Sequence, residues 1–165
     1  MRIIKSETIT ETIKELCIKG ACHLPTDVYN RLLEAISTED SPVSKHTLEI
    51  LKENADIAAK NQEPICQDTG MACIFVEIGQ EVYVEGNLTE AINEGVRQGY
   101  TEGYLRKSVV DDPVFDRINT KDNTPAIIHY DIVPGDKLKI TVAPKGFGSE
   151  NMCQVKMLKP SDGIE

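Results

Sequence analysis

The run Pro64-Ile65-Cys66-Gln67-Asp68-Thr69-Gly70 places a thiol, an amide, a carboxylate and a hydroxyl on four consecutive residues, bracketed by proline and glycine. Proline fixes one φ and glycine permits φ > 0, so a tight, irregular loop is expected. A polar loop entering a strand suits chemistry, because a rigid scaffold aims its side chains. The same residues also suit an Asx-type turn at Asp68, with Cys66 as a small buried hydrophobe. Two further polar stretches stand out. Residues 106–124 are turn-rich, with Asp111-Asp112-Pro113 followed by Asn119-Thr120-Lys121-Asp122-Asn123-Thr124. Lys145-Gly146-Phe147-Gly148-Ser149-Glu150-Asn151 leaves a strand with two glycines and a lysine, which can offer backbone N–H groups and one cation to a carboxylate or phosphate. It lacks the spacing and the trailing Gly-Lys-Ser/Thr of a Walker loop. Together the three stretches offer a soft metal ligand (Cys66), hydrogen-bonding groups (Gln67, Asn119, Asn123), carboxylates (Asp68, Asp122) and cations (Arg106, Lys145). That set suits a small di-anionic substrate with a metal or cluster nearby.

The elements that must position these loops are legible from periodicity. From Thr8 the pattern is helical: Thr8 and Glu11 have capping-box spacing, Ile9, Ile13, Leu16 and Cys17 share a face, and Gly20 is expected to stop the helix. A second helix is predicted from Thr26 with Val28, Leu32, Leu33 and Ile36 inward. A third has Ser41 as N-cap and Pro42 at its first position, with a stripe of Leu48, Leu51, Ala55 and Ala58. Residues 72–78 and 82–85 read as strands joined across Gly79-Gln80 as a hairpin, and 126–133 with 137–143 as a second hairpin across Pro134-Gly135-Asp136. Between them, Asn87 caps a helix predicted to reach Lys107, with Leu88, Ala91, Ile92, Val96 and Tyr100 inward. Gly99 and Gly103 on one of its faces point to the close approach of another backbone. The expected fold is α+β: a helical segment over 1–62, then an antiparallel or mixed sheet of hairpins with one intervening long helix over 63–165, all in one domain.

With 27 acidic against 18 basic residues and a net charge of −9, a nucleic-acid or anionic-membrane surface is disfavoured. No apolar run approaches the roughly 20 residues of a membrane span, and the N-terminal residues carry no secretory h-region, so a cytoplasmic location is expected. The five cysteines, Cys17, Cys22, Cys66, Cys73 and Cys153, are odd in number and form no CxxC pair, so free thiols are expected. Cys73 and Cys153 are expected in the core. His23, His46 and His129 show no ligand spacing, which argues against a histidine-ligated metal hydrolase.

Four ordered blocks carry a resemblance: Ile65-Cys66-Gln67-Asp68-Thr69-Gly70, Arg106-Lys107-Ser108-Val109-Val110, the run from Asn119 to His129, and Lys145-Gly146-Phe147-Gly148-Ser149-Glu150-Asn151-Met152. They are similar to the class I (iron–sulfur) fumarate hydratases and their L-tartrate dehydratase relatives, in the N-terminal part of the α subunit. The resemblance implies a hydro-lyase that adds or removes water on a four-carbon dicarboxylate (fumarate/malate or L-tartrate/oxaloacetate) with a 4Fe–4S cluster. It also implies Cys66 as a cluster ligand, Asp68 as a catalytic residue, and Gln67, Arg106, Lys145, Gly146 and Gly148 as substrate-binding residues. The family's other two cluster cysteines are expected beyond Glu165. The chain is therefore expected to be a truncated portion of a larger α subunit, lacking the cluster and inactive alone. Its expected partners are the remainder of that subunit and a β subunit or domain, in an oligomer. A non-catalytic assembly module that docks a partner subunit is the alternative.

Overall fold

Two adjacent β-branched residues in Arg2-Ile3-Ile4-Lys5 form a short strand that the sequence pattern does not mark. In the computed structural model, which describes residues 1–163, it is β1 (Arg2–Lys5), running straight into α1 (Ser6–Cys22). There follow α2 (Thr26–Thr38), α3 (Pro42–Asn61), β2 (Met71–Gly79), β3 (Val82–Glu85), α4 (Leu88–Glu102), β4 (Ile127–Val133) and β5 (Leu138–Lys145). Short 3-10 turns occupy Ser149–Met152 and Pro160–Asp162. Ile164 and Glu165 lie outside the described residues. Helices, then a mixed sheet interrupted by one long helix, make the fold α+β as expected.

Strand pairing differs from the expectation. β2 lies in the middle of a three-stranded sheet, parallel to β4 on one side and antiparallel to β5 on the other, while β3 pairs in parallel with β1. Neither expected hairpin forms. The turn between β4 and β5 instead straddles the end of β2: Gly79 N–H donates to Lys137 O at 2.8 Å and Gln80 N–H to Val133 O at 2.9 Å. A Cβ on Gly79 would sit 2.3 Å from Gly135 O, so glycine here admits the turn and does not make a hairpin of its own. The parallel pairing of β2 and β4 needs a crossover, and α4 supplies it.

One face of the sheet, Ala72, Ile74 and Val76 of β2, is buried under Ile9, Ile13 and Cys17 of α1 and Ile92, Val96 and Tyr100 of α4. α1 and α4 meet closely because α4 presents a glycine stripe. A Cβ on Gly95 would lie 2.6 Å from Thr10 O, on Gly99 2.8 Å from Cys17 Cβ, and on Gly103 2.8 Å from Ile18 Cγ1. The backbone expected near Gly99 and Gly103 is thus α1. α1 starts at Ser6 rather than Thr8 and continues past Gly20, where an added Cβ would stand 3.4 Å from Pro144 Cγ of β5. The inward stripes of α2 and α3 are only partly so: Val28, Leu33 and Leu51 are exposed, and Ala55 and Ala58 are buried. Cys73 is half-buried rather than core, and Cys153 is exposed. Among the described residues, no helix is long and apolar enough to cross a membrane.

Candidate active site

α4 ends at Glu102, short of the predicted Lys107, and the manner of its ending aims Arg106. Tyr104 takes a left-handed φ of 54°. Its N–H returns to Thr101 O at 3.4 Å, and Leu105 N–H returns to Tyr100 O at 3.1 Å. This is the hydrogen-bond pattern of a Schellman motif, with tyrosine at the position that usually falls to glycine. The chain then turns so that Arg106 meets the loop before β2. Thr69, itself buried, donates from Oγ1 to Arg106 O at 3.1 Å, and the buried Tyr100 hydroxyl donates to Thr69 O at 2.9 Å. Burial raises the Tyr100 pKa, so the phenol stays protonated and keeps that bond.

Cys66, Gln67 and Arg106 line one open cleft, with Glu63, Pro64, Thr69 and Tyr104 completing it, in a volume of about 420 Å³. Tyr104 is 92 % exposed at its rim. No hydrogen bond or ion pair joins the Arg106 guanidinium to the described residues, so its planar donor fork faces the cleft unengaged. Cys66 is likewise exposed. A thiol, an amide and a free guanidinium on one cleft wall are therefore what the structure brings together.

Asp68 faces the other way, into the junction with the loop after β5. Its Oδ1 accepts from Gly70 N–H at 3.0 Å and its Oδ2 from Phe147 N–H at 3.0 Å. The Phe147 N–H lowers the Asp68 pKa most; Gly70 N–H and the charges of Arg106 and Lys145 add to that, against a smaller upward push from burial. Asp68 is consequently ionised at neutral pH. Two glycines make the junction possible. A Cβ on Gly146 would stand 2.9 Å from Asp68 Oδ2, and one on Gly70 (φ +64°) would stand 2.2 Å from Lys145 O.

Lys145 sits beside this junction with its ammonium paired to Glu150 and 5.7 Å from the Phe147 ring centroid. Gly148 is exposed and caps the 3-10 turn, and a Cβ there would meet nothing within 4 Å. The expected binding turn at 145–148 thus spends one N–H, that of Phe147, on Asp68, and its lysine on Glu150. The loop over 106–123 is closed by Asp111 N–H to Ile118 O at 2.9 Å, Thr120 N–H to Val109 O at 3.0 Å and Asn119 Nδ2 to Lys107 O at 2.9 Å. The Tyr100 hydroxyl and Tyr104 also shape the site, and the sequence does not mark either for that role. Tyr100 has the periodicity of a core residue, and nothing in the sequence marks a left-handed tyrosine.

Thiolates suit iron–sulfur ligation, and an exposed Cys66 on the cleft wall fits one ligand of such a site. Among the described residues, no group of three or more His, Cys, Asp or Glu side chains is placed to hold a metal ion. A groove of similar volume between β1, α1 and β5 is lined by Ile3, Ile4, Lys5, Ile9, Leu138 and Ile140 among others, with no thiol or carboxylate on its wall.

Residues 10–165 match the Fumarate hydratase (Fumerase) family. A Methanocaldococcus jannaschii protein, provisionally named L(+)-tartrate dehydratase subunit alpha, is 41% identical over 162 residues, 95% of this chain and 57% of the relative. The L(+)-tartrate dehydratase subunit alpha of Escherichia coli strain UTI89 is 30% identical over 161 residues, and that of strain K12 is 29% identical, each covering 95% of this chain and 52% of the relative. The chain spans a little over half the length of these relatives. The chain belongs to the class I fumarate hydratase/tartrate dehydratase α-subunit family, matching its N-terminal region.

Proposed function

We propose that this chain is the N-terminal part of a hydro-lyase α subunit that adds or removes water on a four-carbon dicarboxylate. The observation that carries the reading is the unengaged Arg106 guanidinium sharing one cleft with Cys66 and Gln67, in a chain of this family. A guanidinium fork matches a carboxylate in two parallel hydrogen bonds, which suits one end of a dicarboxylate better than a lysine would. Gln67 brings both a donor and an acceptor to the same wall. Asp68, held ionised by two backbone N–H groups behind the cleft wall, fixes its loop against the turn after β5, and its remaining lone pairs accept from a substrate hydroxyl only where the substrate reaches that junction. Its lowered pKa makes it a poor general base, since such a base works best with a pKa near the operating pH. Gly146 and Gly148 shape the junction beside it, and Lys145 contributes positive potential near the substrate's second carboxylate while paired to Glu150.

Cys66 supplies one thiolate to a 4Fe–4S cluster whose other ligands come from the remainder of the protein, and which when bound offers an open iron as a Lewis acid to the substrate hydroxyl. The relatives are named as α subunits, which supports a β subunit or domain as partner here. A complementary reading, an assembly module, is favoured by apolar surface: Val43, Ile50 and Ile57 on α3 and Phe75 and Ile127 on the sheet face turned from α1 and α4 are all exposed. Anaerobic preparation of the full-length protein with its partner tests the catalytic reading. The expected result is conversion of fumarate or L-tartrate with bound iron and sulfide. Iron-free protein that turns over neither, but still assembles, selects the assembly module.

A further inference from the structure

Asn123 combines three features that are rarely found together in a loop residue. It is 0 % exposed, has a left-handed φ of 64°, and uses both ends of its carboxamide on other loops. Its Oδ1 accepts from Ser108 N–H at 2.8 Å and Val109 N–H at 3.2 Å, and its Nδ2 donates to Gly70 O at 3.0 Å. Gly70 N–H in turn donates to Asp68 Oδ1. One side chain therefore runs from the segment that carries Arg106 to the C=O of Gly70, the residue whose N–H holds Asp68.

We propose that Asn123 is a positioning residue for substrate binding, one that sets the separation between the Arg106 guanidinium and the Cys66–Asp68 loop and so the span of dicarboxylate that the cleft accepts. This rests on the functional reading above. Asn123 is shut off from the cleft and touches no substrate; it acts through the loops on either side. Its chemistry is matched to the task. A hydrophobe of equal size would leave two N–H groups and one C=O without partners in the interior, and buried polar groups left this way are strongly disfavoured. An aspartate could accept from both N–H groups, but at neutral pH it has no hydrogen for Gly70 O. Thr69 Oγ1 to Arg106 O is a second strap between the same loops, so losing Asn123 loosens them without releasing them. A displacement of about 1 Å at a binding group is enough to lower kcat/KM by up to about 100-fold.

Asn123→Gly removes the carboxamide while keeping a residue at ease with positive φ. In the full-length, anaerobically prepared enzyme with its partner, kcat and KM are measured for whichever of fumarate and L-tartrate the wild type converts. Arg106→Lys and the double variant complete a cycle. Ile13→Val, in the core between α1 and α4, serves as a control for loss of stability alone. The expected result is a KM at least about tenfold higher for Asn123→Gly, little further change when it is added to Arg106→Lys, and an unchanged KM for Ile13→Val at comparable Tm. Should Asn123→Gly fail to accumulate, the near-isosteric Asn123→Asp is expected to show a raised KM through loss of the Gly70 bond. An unchanged KM in whichever Asn123 variant folds, or effects that multiply independently with Arg106→Lys, overturns the proposal while the functional reading stands. A wild type that neither converts nor binds any four-carbon dicarboxylate overturns both.

Discussion

Replacing Gly146 with alanine adds one methyl group against the carboxylate of Asp68 and disturbs little else. Gly146 is not among the positive-φ glycines, so alanine fits its backbone, and the added Cβ would stand 2.9 Å from Oδ2 and 3.3 Å from Cγ of Asp68. Restoring ordinary contact requires the carboxylate to retreat by about 0.5 Å. The Phe147 N–H bond to Oδ2, now 3.0 Å, then stretches to the edge of hydrogen-bonding range. Charge-assisted hydrogen bonds contribute about 1.5–3 kcal/mol, and solvent screening at this partly exposed group reduces that to about 1 kcal/mol. If Asp68 orients the substrate, kcat/KM should fall about fivefold. The Asp68 pKa should also rise toward the ordinary carboxylate value, because Phe147 N–H is the main cause of its depression. The assay is kcat/KM against pH for the full-length enzyme, with Tm measured alongside. An unchanged kcat/KM and pH profile in a Gly146→Ala variant of normal Tm would refute the proposed role of Asp68 as an acceptor for a substrate hydroxyl.

Three further outcomes are expected. Gly95→Ala drives a Cβ to 2.6 Å from Thr10 O and should destabilise the α1–α4 packing by about 1–3 kcal/mol, read from the urea midpoint; no loss would contradict the close helix contact. Because the folded pKa of Asp68 is depressed, its contribution to stability is fully present above the unfolded value of about 3.9 and is lost as pH falls through the folded value. Urea titrations of wild type against Asp68→Asn from pH 6 downward should therefore show a constant difference that vanishes in acid, whereas a pH-independent difference would contradict the two N–H bonds. Burial pushes the Cys17 thiol up to about 12, so iodoacetamide should label the exposed Cys66 in native, cluster-free protein and reach Cys17 only after unfolding, as peptide mass mapping can show.

Periodic signals in the sequence carried most of the element order. Ser41-Pro42 and Asn87 open helices as their chemistry requires, and the Ala91, Ile92, Val96, Tyr100 face is buried as its spacing dictates. What failed was pairing. A Gly-Gln or Pro-Gly-Asp turn between two strands is a hairpin signal only when no third strand competes, and here β2 inserts between β4 and β5 while β1 captures β3. β1 was missed because four residues running directly into a helix leave no punctuation to mark a strand. The candidate site divided similarly. Cys66, Gln67 and Arg106 share a cleft, as their types suggested, whereas Lys145 is paired to Glu150 and Asp68 turns its oxygens to backbone N–H groups. Those contacts depend on loops meeting from three places in the chain, and local sequence does not encode such meetings.

The most direct test of the account is the kinetics of the full-length enzyme with Arg106→Ala against wild type on fumarate or L-tartrate. Loss of a charged, bidentate carboxylate contact should raise KM by roughly 10- to 100-fold while the protein keeps its fold and its iron. A variant with wild-type KM would show that the cleft lined by Cys66, Gln67 and Arg106 does not hold the substrate.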